Sequence, residues 1–514
     1  MRNLAKYQLV LFVLLLILWS AFTPIFEGAD EEGHFCAVDF LAHNNKLPDV
    51  RDVGGCFIWH PPLYYFLLSP ITKSFQTSEY KSTQVKINPK ADLLRKGEFA
   101  QYVHDKRELF FEWNNLELLV HTLRLVTAAI AVLIFIIIAK TSASVFKNKN
   151  ERNLSLLLLF NPMFIHIFTT ITNVTLVSLI STVVIAIDIF HSNEIKSNKL
   201  VFAQGLLVGL GFITKISALA LVPALLVILV LEYKKNKTGL LNLLTKILFF
   251  SLGFFATALW YIIRNLQLYG EVIEANVIAK TYGASHHFLL LEEVGPLNYV
   301  NSIVLSLFKT FWSAYGALTI KFPEFVNVML LIISMLVIYT IAVNFKKIQF
   351  KLKISLIYTI SILATLVIMN IQLAAMHAKD LFPAYLPLSL LFGYGLYSLR
   401  DTLKSRSPRI FLVAITILGT YILAQKSIID LIKEVIQKLA NYSHQQTSLN
   451  ILGTQFFDIL IKFLLVLVLT ILTLKLFKRA RFNQKSILFT TNAIAVIDVL
   501  VLFISTYLFY KNFI

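Results

Sequence analysis

The sequence predicts an all-α polytopic membrane protein with about 11–13 transmembrane helices and long extracytoplasmic loops. Of its 514 residues 57% are hydrophobic and only 15% are charged, whereas soluble domains carry about 25% charged residues. A soluble enzyme of this composition would expose a very large apolar surface, and a disordered chain would be poor in Leu, Ile and Phe. The net charge of +18 does not predict nucleic-acid binding, because the basic residues punctuate apolar runs instead of clustering on one polar face.

Thirteen apolar runs are candidates for membrane spans, since a helix needs about 20 apolar residues to cross the hydrocarbon core. They lie near 9–26, 116–139, 154–169, 171–190, 200–213, 216–231, 240–262, 324–344, 354–373, 381–398, 410–424, 456–474 and 486–509. The first run is expected to be a retained span, because acidic residues and no small-residue cleavage site follow it. No internal repeat is evident, so 1–514 is predicted to be a single integral membrane unit.

Lys and Arg in the short loops predict the orientation. With the N-terminus in the cytoplasm, the inside segments hold 24 basic and four acidic residues. These segments are 1–8, 140–152, 191–199, 232–239, 345–353, 399–409 and 475–485. The opposite orientation would place nearly all of these basic residues outside.

The predicted outer side carries the long segments of the chain. Residues 27–115 form the first extracytoplasmic loop and residues 264–323 form the second. Within the C-terminal helices, 401–514, the segment 425–455 has apolar residues at helical spacing and is expected to lie on the membrane surface. The only two cysteines, Cys36 and Cys56, fall in the first loop, where an oxidising compartment would allow them to pair; their spacing leaves this open.

An acidic cluster with a histidine follows the first span: Asp30, Glu31, Glu32, Gly33 and His34. Carboxylates and an imidazole at a membrane boundary can act as a general base or bind a metal. The alternative is a solvated acidic loop that keeps this segment outside. Further along the loop comes a second group of candidate contact residues, which runs Trp59, His60, Pro61, Pro62, Leu63, Tyr64 and Tyr65. Its alternative interpretation is an aromatic anchor at the membrane interface.

Three cations break the positive-inside pattern, because the predicted topology places them on the outer side. Lys215 has no carboxylate next to it in the sequence, which makes it a candidate anion ligand, and Arg264 is suited to bidentate phosphate contact. Both residues would also suit simple snorkelling to the interface. Lys379 stands in the run His377, Ala378, Lys379 and Asp380, and a pairing of Lys379 with Asp380 would make both of them structural.

The order of these motifs resembles the GT-C class of polytopic glycosyltransferases, especially bacterial relatives of the protein O-mannosyltransferase family (family 39). The matching stretches are Asp30-Glu31 with His34, Pro61 to Tyr65, Gly209 to Lys215, Trp260 to Gly270, Phe311-Trp312 with Tyr315-Gly316, and Leu381 to Ala384. The resemblance covers residues 24–400. It departs in two places: Asn173-Val174 stands where Asn-Asp is frequent, and Ala378-Lys379-Asp380 where Gly-Arg-Tyr is usual.

The resemblance implies transfer of a sugar from a polyprenyl-phosphate donor to a glycan, lipid or protein acceptor, with inversion, in the bacterial inner membrane. Asp30 would be the base, with Glu31 and His34 as further catalytic residues. The implied phosphate ligands are Lys215, Arg264 and Lys379. Substrate or lipid contacts would come from His60, Tyr64, Tyr65, Asn265, His377 and Asp380. A divalent cation, Mg²⁺ or Mn²⁺, is a candidate cofactor, with Asp30 and Glu31 as its ligands.

Two other functions compete with this interpretation. A transporter or lipid flippase would also have many spans and intramembrane charges, but such proteins tend to show internal repeats and midplane sites on broken helices. The candidate residues here gather at one face instead. A relative that has lost its activity is the second alternative, because of the two departures from the motif pattern.

Overall fold

A computed structural model gives the structure of the chain. It describes residues 3–51, 60–75, 77–81, 84–89, 100–237, 239–282, 296–312, 314–315, 320–372, 377–405, 408–424, 447–480 and 482–510. Of the segment 425–455 that is expected to lie on the membrane surface, residues 425–446 lie outside the described residues, as does Cys56.

The described chain is almost entirely helical. The α-helices are α1 (Asn3–Phe22), α2 (Glu31–Asn44), α3 (Leu63–Ser74), α4 (Lys106–Leu109), α5 (Asn115–Val145), α6 (Lys149–Ser155), α7 (Pro162–Phe168), α8 (Val174–Phe190), α9 (Asn198–Phe212), α10 (Leu221–Asn236), α11 (Leu240–Tyr269), α12 (Ala275–Tyr282), α13 (Pro296–Trp312), α14 (Glu324–Asn344), α15 (Phe350–Gln372), α16 (Tyr385–Ser405), α17 (Arg409–Ala424), α18 (Thr447–Arg479) and α19 (Gln484–Tyr510). The 3₁₀ helices are Leu157–Phe160, Ile216–Ala220, Phe345–Lys347 and Ala378–Ala384. Two short antiparallel strands, β1 (Ala314–Tyr315) and β2 (Ile320–Lys321), pair Ala314 with Lys321 and Tyr315 with Ile320.

The predicted fold class is confirmed. Among the described residues, eight helices are long and apolar enough to cross a membrane, and α8 and α9 are shorter apolar helices. The eight are Leu4–Phe22, Asn115–Val145, Ile216–Asn236, Leu240–Tyr269, Glu324–Lys347, Phe350–Ile368, Leu460–Arg479 and Gln484–Tyr510. The chain is therefore an integral membrane protein.

The apolar run 154–169 is predicted to be one membrane span, but in the structure it is not a single helix. It forms a short helix, a 3₁₀ turn and α7, because the Asn161 side chain accepts the Met163 N–H as a cap and Pro162 occupies the first helical turn of α7. Proline fits that position and not a helix interior. The whole run is buried in the protein, so its hydrophobicity reflects a core segment.

The described residues divide into two compact units. The first comprises 1–321, 349–391 and 487–514, and the second 322–348 and 392–486. Each unit contains helices of membrane-spanning length. In the second unit, α14 packs against the middle of α16 at Gly395, where an added Cβ would lie 2.6 Å from Val337 Cγ1.

In the first unit, α9 and α11 approach each other very closely. A Cβ at Gly205 would lie 2.1 Å from the Phe250 carbonyl oxygen, and one at Gly253 would lie 2.2 Å from that of Phe202. Small residues allow membrane helices to pack backbone to backbone in this way. The contact fixes the two helices whose C-terminal ends carry Lys215 and Arg264.

Candidate functional site

Asp30 stands at the N-cap of α2, directly after the turn that follows α1. Its backbone is left-handed (φ 65°), a conformation that Asp tolerates better than most residues, and its side chain makes no capping hydrogen bond to the helix. The turn packs tightly, because a Cβ at Gly28 would meet Thr170 Cγ2 at 2.4 Å. The Asp30 carboxylate is therefore turned away from the helix end that it would normally cap.

The other acidic side chains of this segment are committed to buried partners. Glu31 forms a fully buried ion pair with Arg124 (2.6 Å) and also accepts the backbone N–H of Ile171 at 3.0 Å. Glu32 accepts the hydroxyls of Tyr80 (2.8 Å) and Tyr102 (2.6 Å). Among Asp30, Glu31 and Glu32, the structure leaves only Asp30 open to a ligand.

Glu27 is committed in the same way, through residues later in the first loop. It accepts the backbone N–H groups of Gln101 and Tyr102, both at 2.9 Å. His104 lies between Glu27 (2.7 Å) and Glu108 (3.0 Å). These contacts fold the first loop back onto the segment that carries Asp30, which explains why so many polar residues of this loop are buried.

Two lysine–aspartate pairs meet at the site, and each joins separate elements of the chain. Lys379 Nζ contacts Asp30 Oδ2, and Lys215 Nζ lies 2.8 Å from Asp380 Oδ1. The sequence left open a pairing of Lys379 with Asp380 and showed no carboxylate next to Lys215. The structure does not pair Lys379 with Asp380, and it gives Lys215 a carboxylate partner, because the 3₁₀ helix Ala378–Ala384 presents its two adjacent charges to different partners.

The Asp30 carboxylate combines a strong cation contact with access from outside. Its side chain is 49% exposed, whereas that of Lys379 is only 9% exposed. The ammonium group of Lys379 holds the pKa of Asp30 well below its usual range. Burial acts against the charge of Lys379, but the carboxylates of Asp30 and Asp380 raise its pKa above the usual value. Both groups are therefore charged at neutral pH.

Lys215 is held in place by two elements that flank the turn after α9. The Asn173 side chain donates to the Thr214 carbonyl oxygen at 3.2 Å, and the Leu63 N–H donates to the Ile213 carbonyl oxygen at 2.9 Å. Asn173 thus fixes the turn before Lys215, and the motif position where this chain departs from the Asn-Asp pattern keeps a structural role.

Three neutral imidazoles surround the lysines. Burial and the positive charge of Lys215 lower the pKa of His60 to about 3, and burial and Lys379 do the same for His377. Burial lowers the pKa of His34, and the neighbouring His60 lowers it further. The rings of His34 and His60 stack with centroids 5.3 Å apart. The formal charges of the cluster are therefore those of the two lysines and two aspartates.

Tyr65 contacts the His34 imidazole from the protein interior, and Tyr64 holds the backbone of Thr172. The Tyr65 hydroxyl lies 2.7 Å from His34 Nδ1, and the Tyr64 hydroxyl accepts the backbone N–H of Thr172 at 3.0 Å. Both tyrosines are at most 2% exposed. The structure therefore places them behind the site instead of at a lipid-facing surface.

Arg264 lies on the wall of a small cavity beside the cluster. It donates to the Pro48 carbonyl oxygen at 2.6 Å, and Asn265 next to it donates to the buried carboxyl of Glu274 at 2.7 Å. The cavity is also lined by His60 and Tyr65. Arg264 therefore shares a cavity with His60, the imidazole on which the charge of Lys215 acts.

Sequence inspection missed two parts of this arrangement. Arg124, which pairs with Glu31, had a visible signal, because an arginine within an apolar run is rare and is usually paired inside the protein. Glu274, which receives the hydroxyl of Tyr261 at 2.7 Å, had none, because its burial follows from the packing of the segment after α11.

The described residues do not fit a divalent cation. Within them, no group of three or more His, Cys, Asp or Glu side chains could hold a metal ion. The two predicted ligands already face cations, because Lys379 contacts Asp30 and Arg124 is bound to Glu31.

Cys36 is disulfide-bonded, and the chain holds one other cysteine, Cys56.

Comparisons with known proteins end at distant structures. No protein-family model and no curated protein matches the chain. Among solved structures, it is similar to ArnT from Cupriavidus metallidurans bound to undecaprenyl phosphate, with 14% identity and a TM-score of 0.49, over 98% of this chain and 77% of that one. The apo structure of the same protein gives 13% identity and a TM-score of 0.45, over 99% and 77%.

Proposed function

We propose that this protein is a membrane glycosyltransferase that transfers a sugar from a polyprenyl-phosphate donor to a hydroxyl of a glycan, lipid or protein acceptor, with inversion. The observation that carries the proposal is the half-exposed Asp30 carboxylate beside Lys379, with the Lys215–Asp380 pair in the same cluster. A base and cations in one cluster suit a reaction in which the acceptor hydroxyl loses a proton and negative charge develops on the phosphate of the donor.

In the proposed reaction, the acceptor oxygen attacks the anomeric carbon of the donor sugar while Asp30 takes the hydroxyl proton. The bond between that carbon and the phosphate oxygen breaks, and the electron pair stays on the phosphate. Because this is a single in-line displacement, the anomeric configuration inverts. Lys379, Lys215 and Arg264 stabilise the charge that develops on the leaving phosphate.

Glu31 and His34 act as positioning residues in this proposal. Glu31 stands at the start of α2 and pairs with Arg124 of α5. This pair fixes the turn that presents Asp30. His34 is held by Tyr65 and stacks on His60, which lines the cavity next to Arg264. No step of the proposed reaction passes through a metal ion.

Three features support an active site on the extracytoplasmic face of a bacterial inner membrane. The positive-inside distribution places Asp30, Lys215 and Lys379 on the outer side. The disulfide-bonded Cys36 belongs to α2, the helix that begins directly after Asp30, and disulfides persist in oxidising compartments. The motif order that resembles GT-C glycosyltransferases covers the same residues.

The test uses purified protein in lipid with polyprenyl-phosphate sugars and measures release of free polyprenyl phosphate. We expect release in the presence of a suitable acceptor, and a loss of about 10²–10⁴-fold in Asp30→Asn, the range for removal of a general base. Asp105→Asn, which removes an exposed carboxylate paired with Arg107, is the matched control. Full activity of Asp30→Asn would refute the base assignment, and lipid transport without release would favour a flippase.

A further inference from the structure

The strongest unexplained feature of the site is a buried hydrogen-bond donor that has no acceptor. The backbone N–H of Lys379 donates to His377 Nδ1 at 2.8 Å. A backbone N–H can only donate, so Nδ1 of this imidazole carries no proton, and the proton of the neutral ring is on Nε2. Within the described part of the chain, Nε2 has no hydrogen-bond partner, although His377 is only 6% exposed.

An unmet donor in a buried position costs free energy, so it points to a ligand that supplies an acceptor. The ring is surrounded by charges: Lys379, Asp380, Asp30 and Lys215 all act on it electrostatically. The two nearby carboxylates, Asp30 and Asp380, are each in contact with a lysine, and neither accepts from Nε2 in the structure. An oxygen of an anionic ligand that also attracts the lysines would satisfy the donor.

The second unexplained feature is that the proposed base is paired with a cation. While the ammonium group of Lys379 contacts Asp30, the carboxylate is a weak base towards the hydroxyl group of the sugar-accepting substrate. The backbone of Lys379 is anchored by the His377 ring, whereas its side chain ends on a half-exposed partner. A change of partner by Lys379 therefore requires only the side chain to move.

We propose that His377 Nε2–H and Lys379 Nζ together bind one oxygen of the donor's phosphodiester, and that Lys379 leaves Asp30 to do so. This inference rests on the proposed function and adds to it an order of events, in which the donor binds before Asp30 can act as a base. The charges of the two aspartates and two lysines balance before the donor arrives, and the phosphate adds one negative charge that competes with Asp30 for Lys379. Asp30 becomes available as a base only after the donor is bound.

The exchange of Lys379 can be tested with a double-mutant cycle on a binding reaction. The probe is farnesyl methyl phosphate, a prenyl phosphodiester with one fixed negative charge, titrated into purified protein in detergent. If Lys379 must leave Asp30, then Asp30→Asn should bind the probe about tenfold more tightly, the scale of one charge-assisted hydrogen bond. In the Lys379→Met background this gain should be largely lost. Equal gains in both backgrounds would mean simple charge repulsion and would overturn the exchange.

The role of His377 is tested with two substitutions. His377→Phe should weaken binding of the probe by about tenfold, because it removes the donor. His377→Gln should restore most of the affinity, since its amide can accept from the Lys379 N–H and still donate to phosphate. A purely structural histidine would instead give equal affinities for the folded Phe and Gln variants, and this result would overturn the assignment.

These experiments separate the inference from the proposed function. If the wild-type protein does not bind farnesyl methyl phosphate, both are overturned. Suppose that the probe binds, that the His377 substitutions leave its affinity unchanged, and that Asp30→Asn raises the affinity equally with and without Lys379. The donor class then stands, and only the exchange and the histidine contact fail. Asp105→Asn again serves as the matched control, with unchanged affinity expected.

Discussion

Helix α9 carries an ion cluster at each end, and the two clusters differ in how far their paired carboxylates are exposed. The first lies before its N-terminus, where Lys196 pairs with Asp188 (2.6 Å) and Glu232 (2.9 Å). The second follows its C-terminus, where Lys215 pairs with Asp380 beside Lys379 and Asp30. The 15 residues of α9 separate the clusters by about 22 Å along the helix axis.

Asp188 in the first cluster is saturated. It accepts from Lys196, from Gln204 at 2.7 Å and from Tyr358 at 2.5 Å, and neither Asp188 nor Lys196 has an exposed side chain. Asp30 in the second cluster receives Lys379 and remains 49% exposed. Both clusters pair lysine with aspartate, so charge alone does not identify a functional site. A paired carboxylate that solvent and ligands can reach does, and only the second cluster has one.

The largest expected effect compares the two lysines. Lys196→Met should destabilise the protein by about 3–5 kcal/mol, because it leaves Asp188 as an uncompensated buried charge. Lys379→Met should cost much less stability, since water can reach Asp30. Thermal unfolding of both purified variants in the same detergent measures the difference. Equal losses of stability would show that the site cluster is as structural as the first one.

The sequence predicted the fold class and the long apolar helices, because membrane spans are encoded in long local runs of apolar residues. It did not predict the helices within 27–115 and 264–323, such as α2 and α13, which it assigned to loops. It failed at 154–169, where a buried core segment is as apolar as a span and only Asn161 and Pro162 interrupt the helix. Periodicity and composition are local properties, so they cannot distinguish burial in protein from burial in lipid.

The same limit applies to the site. The sequence identified the acidic run after α1, but it could not separate Asp30 from Glu31 and Glu32, because that difference depends on Arg124, Tyr80 and Tyr102 from distant parts of the chain. Nor could it assign partners to the two lysines. Which side chains pair is decided by tertiary contacts across hundreds of residues, such as Lys379 with Asp30.

The next effect concerns another saturated group, His104 between Glu27 and Glu108. Burial alone would lower the pKa of His104, but the two carboxylates raise it to about 9, above the ordinary value of 6.5. A raised pKa stabilises the folded protein fully below about pH 6.5, and this stabilisation, at most about 3 kcal/mol, is lost as the pH rises through 9.

Unfolding of the wild type between pH 6 and pH 10 measures this contribution, with His104→Gln as the reference. The variant is expected to be less stable at pH 6 and to lack most of the decline towards pH 10. Parallel curves for the two proteins would mean that the imidazole is neutral in the folded state and that the carboxylates are not paired with a charge.

The smallest expected effect is that of metal removal. A divalent cation at Asp30 and Glu31 would have to displace the ammonium of Lys379 and the guanidinium of Arg124, and the latter pair is fully buried. Expelling a buried partner leaves an uncompensated charge, so we expect sugar transfer to be unchanged after treatment with EDTA. Loss of activity that Mg²⁺ or Mn²⁺ restores would contradict this expectation.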